Sequence, residues 1–481
     1  MRTNYLKVTL NAAILAVIIL LAAGVSSAQI VNLTASQQTV VLPDGNSVPM
    51  WGWTCGTVTQ GTTAGTSCTA LTYNTATGAL NAQLGGTVWQ PPLIVVPSAA
   101  TTAGASLTIS LTNTLPVETS IVIIGQVSGG FLGSPVREAG PRTDGAHAGQ
   151  TSTTWTIVNP GSFTPPTQGA RARSFVTEVA GVPTVGTAAA VGTYSWTGLQ
   201  PGTYLIRTGT YPSIQGPMGL YGVLVVTKPP AAGAAGLAYP VTGSTAGGVT
   251  YDADVVALES EMDPRQNKMV AALFPTGGAA GSATANAGFD ETLKWNPGCG
   301  AGANGLTSSG AAPTCYPPAV DYTPLYFFVN GVAFNKDNRP ASALSVPAAG
   351  TTGNILVRLV NAGSHMHVPS VDGLHTLLVA EDGYVLPDIA LALGQNKTLT
   401  AKNGAAAPAT AAAGLRLQDE VFQAAGKVFD VLVSPPQTGT NYNSATYAIS
   451  DRSLDLSTDN QRDGGMLAFL DVNDAGAAKL A

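Results

Sequence analysis

The sequence predicts an all-β protein, two tandem Greek-key β-sandwiches following a cleaved signal peptide. Three observations carry that expectation. Short apolar or β-branched runs recur along the chain, and Leu107-Thr-Ile-Ser-Leu-Thr alternates apolar and polar as a half-buried strand does. Clusters of Gly, Pro, Asn and Asp separate the runs and mark turns. After Val226 the composition changes to Lys228-Pro-Pro-Ala-Ala-Gly-Ala-Ala-Gly, which is linker-like. Many short strands joined by turn-rich segments favour sandwiches.

Taken in order, the chain of 481 residues opens with Arg2 and Lys7, an apolar run over Ala12–Ala23, and the small residues Ser26-Ser27-Ala28. That is a signal peptide with cleavage expected between Ala28 and Gln29. The run is shorter than the ~20 apolar residues of a membrane span, so an uncleaved anchor fits less well. Residues 29–227 form the first expected sandwich, with strand signals near Leu93–Val96, Leu107–Thr112, Ser120–Ile124, Tyr204–Arg207 and Val223–Val226. Residues 228–249 are the expected linker. Residues 250–481 form the second sandwich, with signals near Tyr326–Val329, Ile355–Val360, Thr376–Ala380, Lys427–Val433 and Met466–Leu470. Within it Gly277–Ser308 reads as a long Gly/Ala-rich surface insertion, and Gly404–Gly414 as a second loop.

Composition narrows the function. Charged residues are 10% of the chain, against about 25% in ordinary globular domains. Loss of Arg2 and Lys7 with the signal leaves 19 basic against 27 acidic residues, a net charge of −8. A nucleic-acid partner is excluded on that ground, because phosphate binding needs clustered Lys and Arg. No membrane span remains once the signal is removed, so the product is expected in the periplasm or outside the cell. The partner left open is another protein or a second copy of the chain. Four cysteines form two local pairs, Cys55/Cys68 and Cys299/Cys315. After export, two loop-closing disulfides are expected, each contributing about 3 kcal/mol. The rival, a zinc site, lacks the paired close spacings such sites use.

Several segments resemble the cupredoxin domains of multicopper oxidases, in order. For the first domain these are Pro91-Pro-Leu-Ile-Val-Val-Pro, Leu107-Thr-Ile-Ser-Leu-Thr-Asn-Thr-Leu-Pro, Thr119-Ser-Ile-Val-Ile-Ile-Gly, Pro201-Gly-Thr-Tyr-Leu-Ile-Arg-Thr-Gly and Gly219-Leu-Tyr-Gly-Val-Leu-Val-Val. For the second they are Tyr326-Phe-Phe-Val-Asn-Gly, Val357-Arg-Leu-Val-Asn-Ala-Gly, Leu378-Val-Ala-Glu-Asp-Gly and Val428-Phe-Asp-Val-Leu-Val. Val48-Pro-Met-Trp-Gly-Trp, Pro212-Ser-Ile-Gln-Gly-Pro-Met and Met366-His-Val-Pro-Ser look most like bacterial members of the manganese-oxidising group. The resemblance implies His-x-His pairs for a copper cluster, yet places Val122 and Ile124, then Arg207 and Gly209, at those positions. It also implies a His-Cys-His motif for type 1 copper, and no such stretch occurs in the sequence. Neither a type 1 nor a trinuclear copper centre is therefore expected.

One cluster keeps metal-ligand character, Ser364-His365-Met366-His367 with His375 eight residues on. If the strand from Ile355 continues, His365 and His367 share a face, and imidazoles with a thioether suit copper. The alternative is that His367 caps a strand end and the others are solvated. The acidic set Asp252, Asp254, Glu259, Glu261 and Asp263 suits manganese or calcium, or is an exposed strand face. Arg207 and Tyr211 are expected to form a hydrogen-bonding patch. Two functions from different classes remain: a copper-free scaffold for binding or assembly at the cell exterior, and a copper-dependent oxidoreductase subunit, acting on metals or phenols, that needs a partner chain. Non-reducing peptide mapping of secreted protein is expected to recover Cys55–Cys68 and Cys299–Cys315 crosslinks; crossed pairs or free thiols contradict it.

Overall fold

The computed structural model of the chain describes residues 29–61, 65–71, 88–98, 105–127, 129, 136–137, 172–174, 176–182, 186–275, 315–317, 319, 322–402, 408–455 and 465–473. The expected signal segment, His147, Cys299 and the whole of the 277–308 insertion lie outside them. The first half contributes β1 (Gln29–Val41), β2 (Ser47–Thr59), β3 (Ser67–Ala70), β4 (Pro92–Pro97), β5 (Leu107–Asn113), β6 (Val122–Ile123), the short pair β7 (Val136–Arg137) and β8 (Ala172–Ser174), β9 (Ala190–Trp196), β10 (Gly202–Arg207) and β11 (Tyr221–Thr227). A hairpin, β12 (Gly236–Pro240) and β13 (Gly248–Tyr251), follows. The second half contributes β14 (Ala253–Met262), β15 (Tyr326–Val329), β16 (Ala343–Val346), β17 (Ile355–Asn361), β18 (Pro369–Val371), β19 (Thr376–Glu381), β20 (Tyr384–Val385), β21 (Leu417–Gln418) and β22 (Val428–Val433). The short β23 (Gln437–Thr438) and β24 (Asn441–Tyr442), then β25 (Ala445–Asp451) and β26 (Leu467–Val472), complete it.

The strands make two sandwiches. The first packs the sheet β2-β1-β5-β9 on the sheet β3-β4-β11-β10-β6. The second packs a seven-stranded sheet containing β15-β14-β17-β22-β19-β20 on β16-β26-β25-β18. The two share one plan. In each, the first sheet pairs its strands antiparallel, parallel, antiparallel, in β2-β1-β5-β9 as in β15-β14-β17-β22. In each, the second sheet carries one parallel pair, β4 with β11 and β16 with β26. Under this plan Arg207, the last residue of β10 and opposite Val122, is the counterpart of Asp451, the last residue of β25 and opposite Pro369. Asn113 and Asn361 end the equivalent strands β5 and β17.

Side-chain alternation decides the layers. Along β5, Leu107, Ile109 and Leu111 point into the first core with Val31, Leu33, Ile94, Val96, Trp196 and Leu224. The strands β11 and β17 are buried on both faces. Leu224 and Val226 serve the first core, whereas Tyr221, Val223 and Val225 face a second cluster with Val256, Leu258, Met262, Phe328, Val360 and Val428. On the other face of the seven-stranded sheet, Val255, Val357, Leu359 and Val431 pack against Leu344, Ala468 and Leu470. The result is four stacked sheets, with the middle two sharing an apolar interface. Each fully buried Leu or Val there is worth roughly 1.5–3 kcal/mol. The Cys55–Cys68 disulfide joins β2 to β3, and so ties the two sheets of the first sandwich. Cys315 is also disulfide-bonded.

Residues 228–249 are not a plain linker. Lys228 to Ala234 is mostly exposed, but Ala238, Tyr239, Val249 and Tyr251 of the hairpin are buried with Leu356, Leu377, Val379 and Leu432. The Tyr and Val residues supply apolar area that the Ala/Gly-rich start of the segment lacks. The helix Pro264–Leu273 also crosses the expected boundary. Its N-cap Asp263 accepts from Arg265 N and Gln266 N, and Pro264 sits at N1. Met269 and Val270 with Phe274 complete the first core, and Gln37 Nε2 donates to Phe274 O at 2.8 Å.

A polar cluster is set into the apolar junction. Arg358 of β17 is fully buried. Its Nε lies 2.8 Å from Asp254 Oδ2, its guanidinium 3.6 Å from Asp430 Oδ2, and it donates to Thr203 Oγ1 at 2.8 Å. Thr203 donates to the Asp430 carboxylate at 2.8 Å, as does Tyr239 through its hydroxyl. The guanidinium also sits 5.5 Å from the centre of the Tyr251 ring. Burial would lower the Arg358 pKa, but Asp254 and Asp430 outweigh it and hold the charge firmly. Beside the cluster Gly202, at φ +142°, brings its backbone to the second unit: a Cβ there would stand 3.0 Å from Gly383 Cα. Arg358→Ala leaves Asp430 buried without its cation and is expected to cost about 3–5 kcal/mol in urea unfolding, with Arg358→Met/Asp430→Asn less damaged than the single variant.

Candidate functional site

The strand β14 leaves its apolar alternation at its C-terminal end. After Val255 and Ala257, the same face carries Glu259 and Glu261, both buried. β17 ends at Asn361, so His365 and His367 sit in the connection to β18 rather than on a strand. Asn361 holds that connection: its Nδ2 donates to His365 O at 2.8 Å and to Gln423 O at 3.1 Å, and its Oδ1 accepts from Gly363 N. His367 exchanges backbone hydrogen bonds with Gln423, at 3.0 and 2.9 Å. Its ring is thereby driven into the end of the second sandwich.

There both ring nitrogens meet carboxylates. Nε2 lies 3.0 Å from Glu261 Oε2, and Nδ1 lies 2.8 Å from Asp451 Oδ2 and 3.5 Å from Asp455 Oδ2. The acids are themselves held. Asp451 Oδ1 accepts from Val368 N and Ser453 N, at 2.8 and 2.9 Å. Glu261 Oε1 accepts from Ser364 N and His365 N. Gly363 makes room for Glu261, since a Cβ there would lie only 1.8 Å from Oε2. An imidazole can donate from both nitrogens only as the cation. Burial alone would discharge His367, yet the hydrogen bonds to Asp451, Asp455 and Glu261 and the charge of Glu259 raise its pKa far above the usual range. Burial would likewise raise Asp451, but His367 and the two backbone donors bring it below the ordinary value. Glu259 is pushed up to about 8, chiefly by burial, against the attraction of His367.

The other sequence candidates are dispersed. The His365 ring is exposed and makes an edge contact with Tyr322 at 6.0 Å. His375 is exposed and pairs with Asp419 at 2.7 Å, on the rim of a cavity of about 440 Å³ that Ser370, Asp372 and Arg452 also line. Among the described residues, His365, His367 and His375 do not form a metal-spaced group; His367, Asp451 and Asp455 do. The acidic run is not an exposed face. Asp252 caps the 351–353 turn and accepts from Tyr442, Asp254 pairs with Arg358, and Asp263 caps a helix. Glu259 and Glu261 alone of that set reach His367. Asp451 and Asp455 escaped the sequence reading; the signal that finds them is the repeat of strand order, which puts Asp451 opposite β18 as Arg207 stands opposite β6.

The equivalent place in the first sandwich is built from hydroxyls and an amide beside the cation Arg207. Thr119 and Thr208 donate to Gln215 Oε1 at 2.8 and 2.7 Å, and Ser120 bonds Thr210 at 2.8 Å. Arg207, half-buried, and Tyr211, buried, stand beside these bonds. Val122 is buried, and Gly209 has Val176 and Val122 methyls at 2.5 and 2.6 Å from where a Cβ would be. Val122 and Ile124 bring no donor atom and Gly209 has no room for a ring, so these positions do not fit a copper cluster.

No family model matches the chain, and no curated protein does. Solved structures that it resembles include multicopper oxidases. A blue copper oxidase from Nitrosomonas europaea is 13% identical over 92% of this chain and 86% of its own, with a TM-score of 0.45. A laccase from Botrytis aclada is 14% identical over 95% of this chain and 55% of its own, TM-score 0.45. Fet3p, a multicopper oxidase that functions in iron import, is 13% identical over 94% and 53%, TM-score 0.44. Similarity at this level transfers no residue role. The strand plan itself defines the class: an all-β chain of two tandem sandwiches that share one strand order.

The His367 cluster gives stability a pH dependence with a definite sign. In EDTA-containing buffer, the His367 contribution is fully present below its unfolded pKa of about 6.5 and declines above it. Glu259 binds a proton in the folded state up to about pH 8, against about 4.3 unfolded, so it too favours folding at lower pH. Asp451 acts oppositely, losing its contribution as pH falls below about 4. Urea unfolding is expected to show highest stability near pH 4 and a fall from there toward pH 8, about 1.4 kcal/mol per pH unit for each proton, with Glu259 responsible below about pH 6.5 and His367 adding to it above. Glu259→Gln is expected to delay that fall until about pH 6.5.

Proposed function

We propose that this chain is an exported scaffold that binds or assembles and does not turn over substrate. The supporting observation is the filling of the first sandwich's candidate positions: Val122, Ile124 and the crowded Gly209 stand where the sequence resemblance sets copper-binding histidines. The one buried histidine among the described residues, His367, has both nitrogens committed to carboxylates. Tight layers with ion pairs sunk in their interfaces suit a rigid platform rather than an electron path. The Cys55–Cys68 disulfide accords with an oxidising compartment outside the cytosol. No helix among the described residues is long and apolar enough to cross a membrane. The occupant of the platform is a protein, either a partner or a second copy of the chain; 19 basic against 27 acidic residues after loss of Arg2 and Lys7, a net charge of −8, give nucleic acid little to bind.

Oxygen uptake with excess copper and either manganese(II) or a phenol is expected to stay at the no-protein rate. Sustained copper-dependent uptake by the purified chain overturns the scaffold reading. Uptake that appears only with a co-purifying protein also overturns it, in favour of an oxidase subunit that borrows its missing ligands.

A further inference from the structure

We propose that His367 Nδ1, Asp451 Oδ2 and Asp455 Oδ2 form a site for one divalent transition-metal ion of the zinc class, with Glu261 holding the imidazole from behind. The donor atoms of the three residues all lie within 4.8 Å of one another. A tetrahedral ion with metal–ligand bonds of about 2.0 Å sets its ligands roughly 3.3 Å apart. The observed separations from Nδ1, 2.8 and 3.5 Å, bracket that value. The triangle is therefore sized for an ion in place of the Nδ1 proton.

The surroundings argue the same way. Glu261 accepts from Nε2 at 3.0 Å, and a carboxylate on the far nitrogen is what fixes the tautomer of a metal-bound histidine and turns its other lone pair to the ion. Asp451 uses Oδ1 for two backbone N–H groups, leaving Oδ2 for the site. Ser453 Oγ donates to Asp455 Oδ2 at 3.0 Å and orients it. Three carboxylates then stand around one imidazole, more negative charge than a single imidazolium offsets, and buried charge needs a partner. A separate observation concerns Glu259. It is 1% exposed, on the same face of β14 as Glu261, and its Oε2 has no hydrogen-bond partner among the described residues. It lies within Coulombic range of His367, Asp451, Glu261 and Asp455. An ion and its water would answer that orphaned oxygen. Asp455 is the accessible member, its side chain 24% exposed, and marks the entry side. With two carboxylates, one imidazole and no thiolate, the donor set suits zinc or manganese better than copper(I).

His365 and His375 have no part in this site, and the inference is independent of whether the chain turns over substrate. The test is calorimetric titration of EDTA-stripped full chain with zinc chloride, in two buffers of different ionisation heat. One zinc per chain is expected, with about one proton released as the ion displaces it from Nδ1. Asp455→Asn, which leaves the buried His367–Glu261–Asp451 set intact, is expected to weaken binding at least about tenfold while keeping the parent's circular dichroism. His365→Ala is expected to bind as the parent does. No saturable zinc binding by the parent overturns the proposal. So does a folded Asp455→Asn chain that binds as tightly as the parent, or a His365→Ala chain that loses the ion.

Discussion

The two sandwiches are held in register by one buried cation. Arg358 stands between Leu356 and Val360 on the face of β17 that looks toward the first unit, at the only charged position of that strand. It bonds to Asp254 of the neighbouring β14, to Thr203 of the first unit and to Asp430 of β22. Tyr239 of the hairpin completes the set through Asp430. An apolar interface alone tolerates sliding, because burial is not directional. A guanidinium with fixed donor directions tolerates much less. Four structural parts, two sandwiches and both strands of a hairpin, converge on that side chain. The close backbone approach at Gly202 and Gly383 depends on the same alignment.

His367 plays the corresponding part at the end of the second sandwich. Its partners come from β14 and from the end of β25 with the turn after it, so one ring joins its own connection to two segments far apart in sequence. The first sandwich closes its own equivalent end with Thr, Ser and Gln side chains. Hydroxyls and an amide satisfy each other there, with half-buried Arg207 beside them. One plan is thus finished by two chemistries. The carboxylate–imidazole closure ties the second sandwich to pH and to cations.

How much of this the sequence discloses depends on the range of the interaction. Strand alternation at Leu107–Asn113 is local, and it places Leu107, Ile109 and Leu111 correctly in the core. The Asn330-Gly331 and Asp382-Gly383 turns, each with positive φ at both residues, are equally local hairpin signals. The hairpin hidden in residues 228–249 is less legible, since Ala and Gly around it mimic a linker and only Tyr239, Val249 and Tyr251 betray burial. His367 and the pair Glu259–Glu261 are each visible as chemistry, but nothing in their spacing joins residues 106 apart. Asp451 is plainer still, a single acid at a strand end. Only the repeated strand order relates it to Arg207, and that order is a property of the folded sheets.

The helix Pro264–Leu273 lies in the core of a sandwich whose own strands end at Thr227. A chain leaves the ribosome or a translocation pore with its N-terminal end first. The first sandwich therefore emerges whole in its strands yet open where Met269, Val270 and Phe274 belong. It must wait for the 47 further residues from Thr227 to Phe274 before Gln37 finds the Phe274 carbonyl, a contact 237 residues apart. That gap is time during synthesis in which Leu33, Trp51 and their neighbours have no lid. Completion of the first sandwich thus requires residues that the chain order assigns to the second, which couples the two halves despite the two-fold plan.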